Sequence, residues 1–102
     1  MNEQEKAISV RKQEILEQIK EYIAQEVLHG ESLGLNEQTP LLEWGILSSF
    51  EMVGTLGFIE KQFHVLIPVE KIVADRFINL LSITEFVLEC MREGTFVESD
   101  NR

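Results

Sequence analysis

An all-α fold, a small four-helix bundle, is what this sequence predicts, and three observations carry that expectation. Apolar residues recur at three-, four- and seven-residue spacings in three separate segments, the repeat of one helical face. His29-Gly30 and Gly94 close the first and last of these segments, as glycine does at helix carboxyl ends. The one alternating stretch, Val65, Ile67 and Val69, contains Pro68 and has no second strand to pair with.

The first helix is expected from about Ile8 to Leu28. Ile8, Ile15, Ile19, Ile23 and Val27 share a stripe that Leu16, Tyr22 and Ala24 widen, and Glu14, Glu17, Gln18, Lys20, Glu21 and Gln25 face water. The apolar pattern thins before Ile15, so residues 1–12 form an extension expected to fray. Glu31 to Ser48 reads as a long ordered loop, a length that calls for anchoring. Leu33, Leu35, Leu41, Leu42, Trp44, Ile46 and Leu47 are its expected anchors, with a short turn at Thr39-Pro40.

A second helix is expected from Ser49 to Phe63, with Met52, Thr55, Leu56, Ile59 and Phe63 on its core face. Phe50, Val53, Gly54, Gly57, Glu60 and Lys61 fall on another side, and Phe58 belongs to neither. A short strand over His64–Val69 is a competing reading, which Pro68 keeps out of a sheet interior. Val69 to Arg76 suits a short third helix that Pro68 would introduce. The last helix should run from Asn79 to Arg92 on Leu80, Ile83, Val87 and Cys90 or Met91, with Phe86 alongside. One domain over residues 1–93 and a polar tail over 94–102 complete the expected organisation.

Composition narrows the function. Aspartate and glutamate outnumber lysine and arginine 18 to 9, for a formal net charge of -9. That argues against nucleic acid and anionic membrane surfaces, and for basic partner surfaces. Cys90 is the only cysteine, so an internal disulfide is excluded, a reducing cytoplasm is the expected setting, and packing is its expected role. No apolar run reaches membrane-spanning length. His29 and His64 lack ligands at metal spacing, and no nucleophile elbow or phosphate-binding loop is present. Neither a catalytic constellation nor a metal site is expected.

What remains is Gly45-Ile46-Leu47-Ser48-Ser49-Phe50. It places a hydroxyl where a loop meets a helix amino terminus, and free N–H groups and the helix dipole there favour a phosphate. Ser49 is read as the attachment point of a phosphate-linked cofactor, and Ser48 as the helix N-cap. Serine before an apolar helix is usually a cap and nothing more, so the flanking residues decide the reading. The core stripe of the second helix is complete without Phe50 and Val53, which makes them candidate partner contacts.

With those residues in view, the chain resembles an acyl or peptidyl carrier protein over roughly Ile15 to Met91. The Gly45–Phe50 string, the His64-Val65-Leu66-Ile67-Pro68 exit and the Phe77–Val87 approach to the last helix carry the likeness. Thr39-Pro40-Leu41-Leu42-Glu43-Trp44-Gly45-Ile46-Leu47 is most similar to free-standing peptidyl carriers that load proline for oxidation to a pyrrolyl thioester. The resemblance implies a 4'-phosphopantetheine arm on Ser49, derived from coenzyme A and ending in a thiol that holds cargo as a thioester. It implies a phosphopantetheinyl transferase, an adenylating enzyme, and downstream dehydrogenases or condensing enzymes as partners, with the carrier itself a non-catalytic monomer.

Two departures from the family pattern stand out. Ser48 replaces the usual aspartate, which preserves a cap and removes a charge. On the partner-facing side, Gly54, Gly57 and Lys61 replace dense acidity, leaving Glu51 and Glu60, which only the resemblance makes partner candidates. The two glycines point to close approach by a partner. A D-alanyl carrier and a fatty-acid carrier are the alternatives within the family; an unmodified helical adaptor is the alternative outside it.

Overall fold

The computed structural model describes residues 3–30 and 34–93, with side chains from Val10 onward in the first helix. The Ile8 side chain, Leu33, Gly94 and the tail lie outside the described residues. Among the described residues, three α-helices, α1 (Glu3–Tyr22), α2 (Ser49–Phe63) and α3 (Leu80–Arg92), pack around one core, with two single 3-10 turns between α2 and α3. The architecture is all-α, and no strand occurs among the described residues.

α1 begins at Glu3, five residues before its expected start, and continues through a π-turn over Ile23–Val27. Ile15, Leu16, Ile19, Ile23 and Ala24 are buried along one stripe. The Leu28 N–H donates to the Ile23 carbonyl at 3.0 Å and Gly30 to Ala24 at 2.7 Å, so the widened turn closes on Gly30 at φ 90°. The left-handed backbone there is what glycine adopts without a Cβ clash.

The long connection is held by its own side chains and by the start of α3. Leu35, Thr39, Leu41 and Leu47 are buried. Thr39 Oγ1 accepts from the Asn36 N–H at 2.8 Å and donates to the Gly34 carbonyl at 3.2 Å. The Leu41 N–H donates to the Ile78 carbonyl at 2.8 Å, and Leu81 to Glu37 at 3.2 Å, stitching the connection across to α3. Trp44 is no anchor: it is 65% exposed. Leu41 and Leu47 take the buried positions of this turn, and a Leu47-to-Leu41 backbone bond at 3.0 Å joins them, leaving the indole in solvent. Leu42 and Ile46 are half-buried.

α2 buries Thr55, Ile59 and Phe63, while Met52 and Leu56 are half-buried at its margin. His64, at φ 58°, turns the chain out of the helix. Val65 and Ile67 then enter the core while Leu66 stays 55% exposed. The alternation in the sequence therefore records an extended link with one buried side, not a strand.

The short third helix is replaced by 3-10 turns at Val69–Lys71 and Ala74–Phe77. Ile72 and Val73 between them are extended, at ψ 94° and 154°. Adjacent β-branched residues favour that backbone over a helical one. Ion pairs fix the segment to α3. Arg76 grips Glu89 with two nitrogens at 2.7 and 3.2 Å, and Lys71 reaches Glu89 at 3.2 Å and also Glu93.

α3 is capped by Asn79, whose side chain accepts from the Ser82 N–H at 2.8 Å. It buries Leu80, Ile83, Thr84, Phe86, Val87 and Cys90. Cys90 rather than Met91 completes the stripe. Phe86 is fully buried and meets Phe77 edge-on at 6.2 Å. Burial raises the Cys90 thiol pKa, as expected for a packing residue.

Candidate functional site

The amino terminus of α2 is built by a reciprocal pair of hydrogen bonds. Ser48 is the N-cap, extended at φ -86° and ψ 176°. Its Oγ accepts from the Glu51 N–H at 3.3 Å, and Glu51 Oε1 accepts from the Ser48 N–H at 2.7 Å, forming a capping box. These bonds, the backbone one first, hold the Glu51 carboxyl below its ordinary pKa. Gly45, at φ 74°, makes the turn that leads the chain into this cap. A side chain there would be strained, which gives the glycine of the Gly45–Phe50 string a backbone reason.

Ser49 is the first helical residue and is exposed. Among the described residues its hydroxyl has no hydrogen-bond partner. Glu51 N–H is used by Ser48 Oγ, and Met52 N–H donates to the Ser48 carbonyl at 2.9 Å. The N–H groups of Ser49 and Phe50 have no hydrogen-bond partner among the described residues, as first-turn donors lack an intrahelical one. The two neighbouring serines thus have separate positions: one closes the helix, and the other offers its oxygen to solvent beside two amide donors. A phosphodiester on that oxygen fits the donor set.

The remaining predicted residues divide. Phe50 is 86% exposed and Val53 67%, and with Gly57 they share one outer face of α2. Lys61 is exposed further along the helix. Gly57 has open space around it. Gly54 does not: a Cβ there would lie 3.1 Å from the Tyr22 hydroxyl of α1. The close approach at position 54 is therefore made within the chain. Glu60 also faces inward, its carboxylate accepting from the Ile67 N–H at 3.0 Å, which ties α2 to the extended link.

An aromatic contact between α1 and α2 was not read from the sequence. Tyr22 and Phe58 stack at 4.4 Å with 18° between ring planes, and Phe63 meets Phe58 edge-on at 6.2 Å. Phe58's place outside both stripes of α2 was the available signal. Burial raises the Tyr22 pKa, and neighbouring Glu26 adds to the rise.

No helix among the described residues is long and apolar enough to cross a membrane. No protein-family model matches the chain, and no curated protein matches it. Among solved structures, a chain from one described as "Crystal structure of FAD-dependent dehydrogenase" is 35% identical, with a TM-score of 0.62. The match covers 68% of this chain and 97% of that one. Since 68% of 102 residues is about 69, the matched chain is about 71 residues long. At this identity, and with nearly all of the matched chain covered, the present chain belongs to the same family as that small chain.

Proposed function

We propose that this protein is a discrete acyl or peptidyl carrier. In this reading Ser49 bears a 4'-phosphopantetheine arm, and a flavin-dependent dehydrogenase is among the enzymes that act on its cargo. The observation that carries the reading is the exposed Ser49 hydroxyl at the first position of α2, beside a cap completed by Ser48. When bound, the arm supplies the thiol and the thioester chemistry. The chain's own residues supply placement. Ser48 and Glu51 fix the helix end, the first-turn N–H groups of Ser49 and Phe50 are donors for the negative linkage, and Phe50 and Val53 offer apolar area to an enzyme bending over it.

The name of the matched structure supports the choice of partner. The present chain is not read as the flavoenzyme itself. Among the described residues the present chain has no strand, and so no glycine-rich turn after one to hold a diphosphate. The groove between α1 and α2 is walled by glutamates, which repel FAD's phosphates. In this reading the flavin belongs to a larger enzyme that the present chain serves. A prolyl or pyrrolyl cargo fits that partner, because converting a saturated ring to an aromatic one sends pairs of electrons to an acceptor such as FAD.

Incubation with coenzyme A and a broad-specificity phosphopantetheinyl transferase tests the proposal. Intact mass should rise by one arm in the wild type and in Ser48→Ala, and stay unchanged in Ser49→Ala. No gain under conditions that modify a control carrier would leave an unmodified adaptor as the function. Loading by a D-alanine-activating enzyme alone would move the cargo to the cell-wall carrier class.

A further inference from the structure

Away from Ser49, α1 and the carboxyl-terminal half of α2 enclose an open groove of about 960 Å³. Its floor is the Tyr22–Phe58 stack. Its rim carries Glu14, Glu17, Glu21 and Glu26, and among the described residues no lysine or arginine lines it. Gln62 Nε2 donates to Gln18 Oε1 at 2.7 Å, an exposed bond that joins the two helices beside the aromatic pair. From Glu14 to Gln25 the wall is about 17 Å long, the length of roughly three helical turns.

Two independent properties of this groove specify one kind of occupant. Stacking covers the inner face of each ring, so what the Tyr22–Phe58 pair offers a guanidinium is an outer ring face. A carboxylate rim repels anions and pairs with cations, and long apolar stems fit between floor and rim. We infer that the α1–α2 groove is a second docking site, which receives an arginine-bearing helical segment of a partner protein. Phe58 and Gln62 lie nine and thirteen residues beyond Ser49, about 13 to 20 Å along the α2 axis. A partner held here leaves the α2 amino terminus open, so an enzyme could keep hold of the chain while cargo is delivered at the other end. The inference goes beyond the carrier reading and does not need Ser49 to be modified.

The test uses the full chain, labelled with 15N, in both wild-type and Ser49→Ala forms. The probe is a 15-residue alanine-based helical peptide carrying three arginines at four-residue spacing, with leucines between them. Saturable amide shifts should centre on Tyr22, Gln25, Phe58 and Gln62 and be the same in both forms, which separates this result from the fate of the carrier reading. Glu17→Gln with Glu21→Gln should weaken binding by about threefold or more, and Phe58→Leu by a similar factor, as expected when an exposed cation loses its carboxylate or ring partner. Glu43→Gln with Glu70→Gln, an equal change in net charge, should leave binding unchanged. Replacing arginine by citrulline in the probe should abolish the shifts. The inference is overturned by absent shifts, by shifts centred on Trp44 and Phe50, or by equal weakening in the two charge-matched pairs. Equally strong binding of spermine at the groove would also overturn it, since a simple polycation site needs no helix.

Discussion

Replacing Ser48 by alanine separates the two serines most sharply. The substitution removes the 3.3 Å bond from the Glu51 N–H to Ser48 Oγ, but leaves Glu51 Oε1 on the Ser48 backbone N–H at 2.7 Å. Only half of the capping box is lost, and the lost half is long and exposed to water. The expected cost is therefore at the low end of the N-cap range, about 0.5–1 kcal/mol. For a chain of this size that is a fall in melting temperature of about 2–8 °C. Urea unfolding should show a lower midpoint with an unchanged slope. Ser49→Ala, which removes a hydroxyl with no partner among the described residues, should fall within about 0.5 kcal/mol of wild type. Ser48→Asp should restore the cap and be modified at Ser49 at least as fast as wild type. If Ser49→Ala costs as much as Ser48→Ala, or if Ser48→Asp folds but resists modification, the division of labour between the serines is wrong.

Further predictions concern the rest of the bundle. Gly57→Ala should stabilise the protein by about 0.5–1 kcal/mol, since its Cβ meets open space in a helix interior. Gly54→Ala should gain less or lose, because its Cβ must displace the Tyr22 hydroxyl from 3.1 Å; matched denaturation curves compare the two. Ile59→Ala, at a fully buried position, should cost about 2–5 kcal/mol in the same assay. Glu89 is held below its ordinary pKa of 4.5 chiefly by Arg76 and then by Lys71. Its contribution to stability is complete above that value and is lost as pH falls through the lower folded-state pKa. Arg76→Gln should therefore destabilise the protein at neutral pH and flatten the acid limb of a stability profile taken below pH 4.5. A profile with an unaltered acid limb would contradict the pairing.

The parts of the structure that were legible are those decided within one or two turns of chain. Ser48 and Asn79 announce α2 and α3 because a cap is a local bond to a residue three positions on. The stripes of Ile15, Ile19 and Ile23 and of Ile83, Val87 and Cys90 likewise follow from helical period alone. What escaped was settled between distant segments. Trp44 looks like an anchor by its apolar area, yet Leu41 and Leu47 fill the available space under its turn. Val69–Arg76 has residues a helix tolerates, but Ile72 and Val73 extend while Lys71 and Arg76 bond to α3. Gly54 reads as a gap left for a partner; the hydroxyl beside it belongs to Tyr22, thirty-two positions earlier in the chain. At the site itself, the hydroxyl pair, its cap and the outward faces of Phe50 and Val53 were legible, whereas the inward use of Glu60 depended on where Ile67 comes to lie.

The most direct measurement is fragmentation mapping of the peptide spanning both serines, taken from protein exposed to coenzyme A and a competent transferase. The carrier account predicts that the arm resides wholly on position 49, with the adjacent cap serine unmodified, and that the wild-type peptide is converted in high yield. An arm found on position 48, or a peptide that stays unmodified while a control carrier is converted, would contradict it.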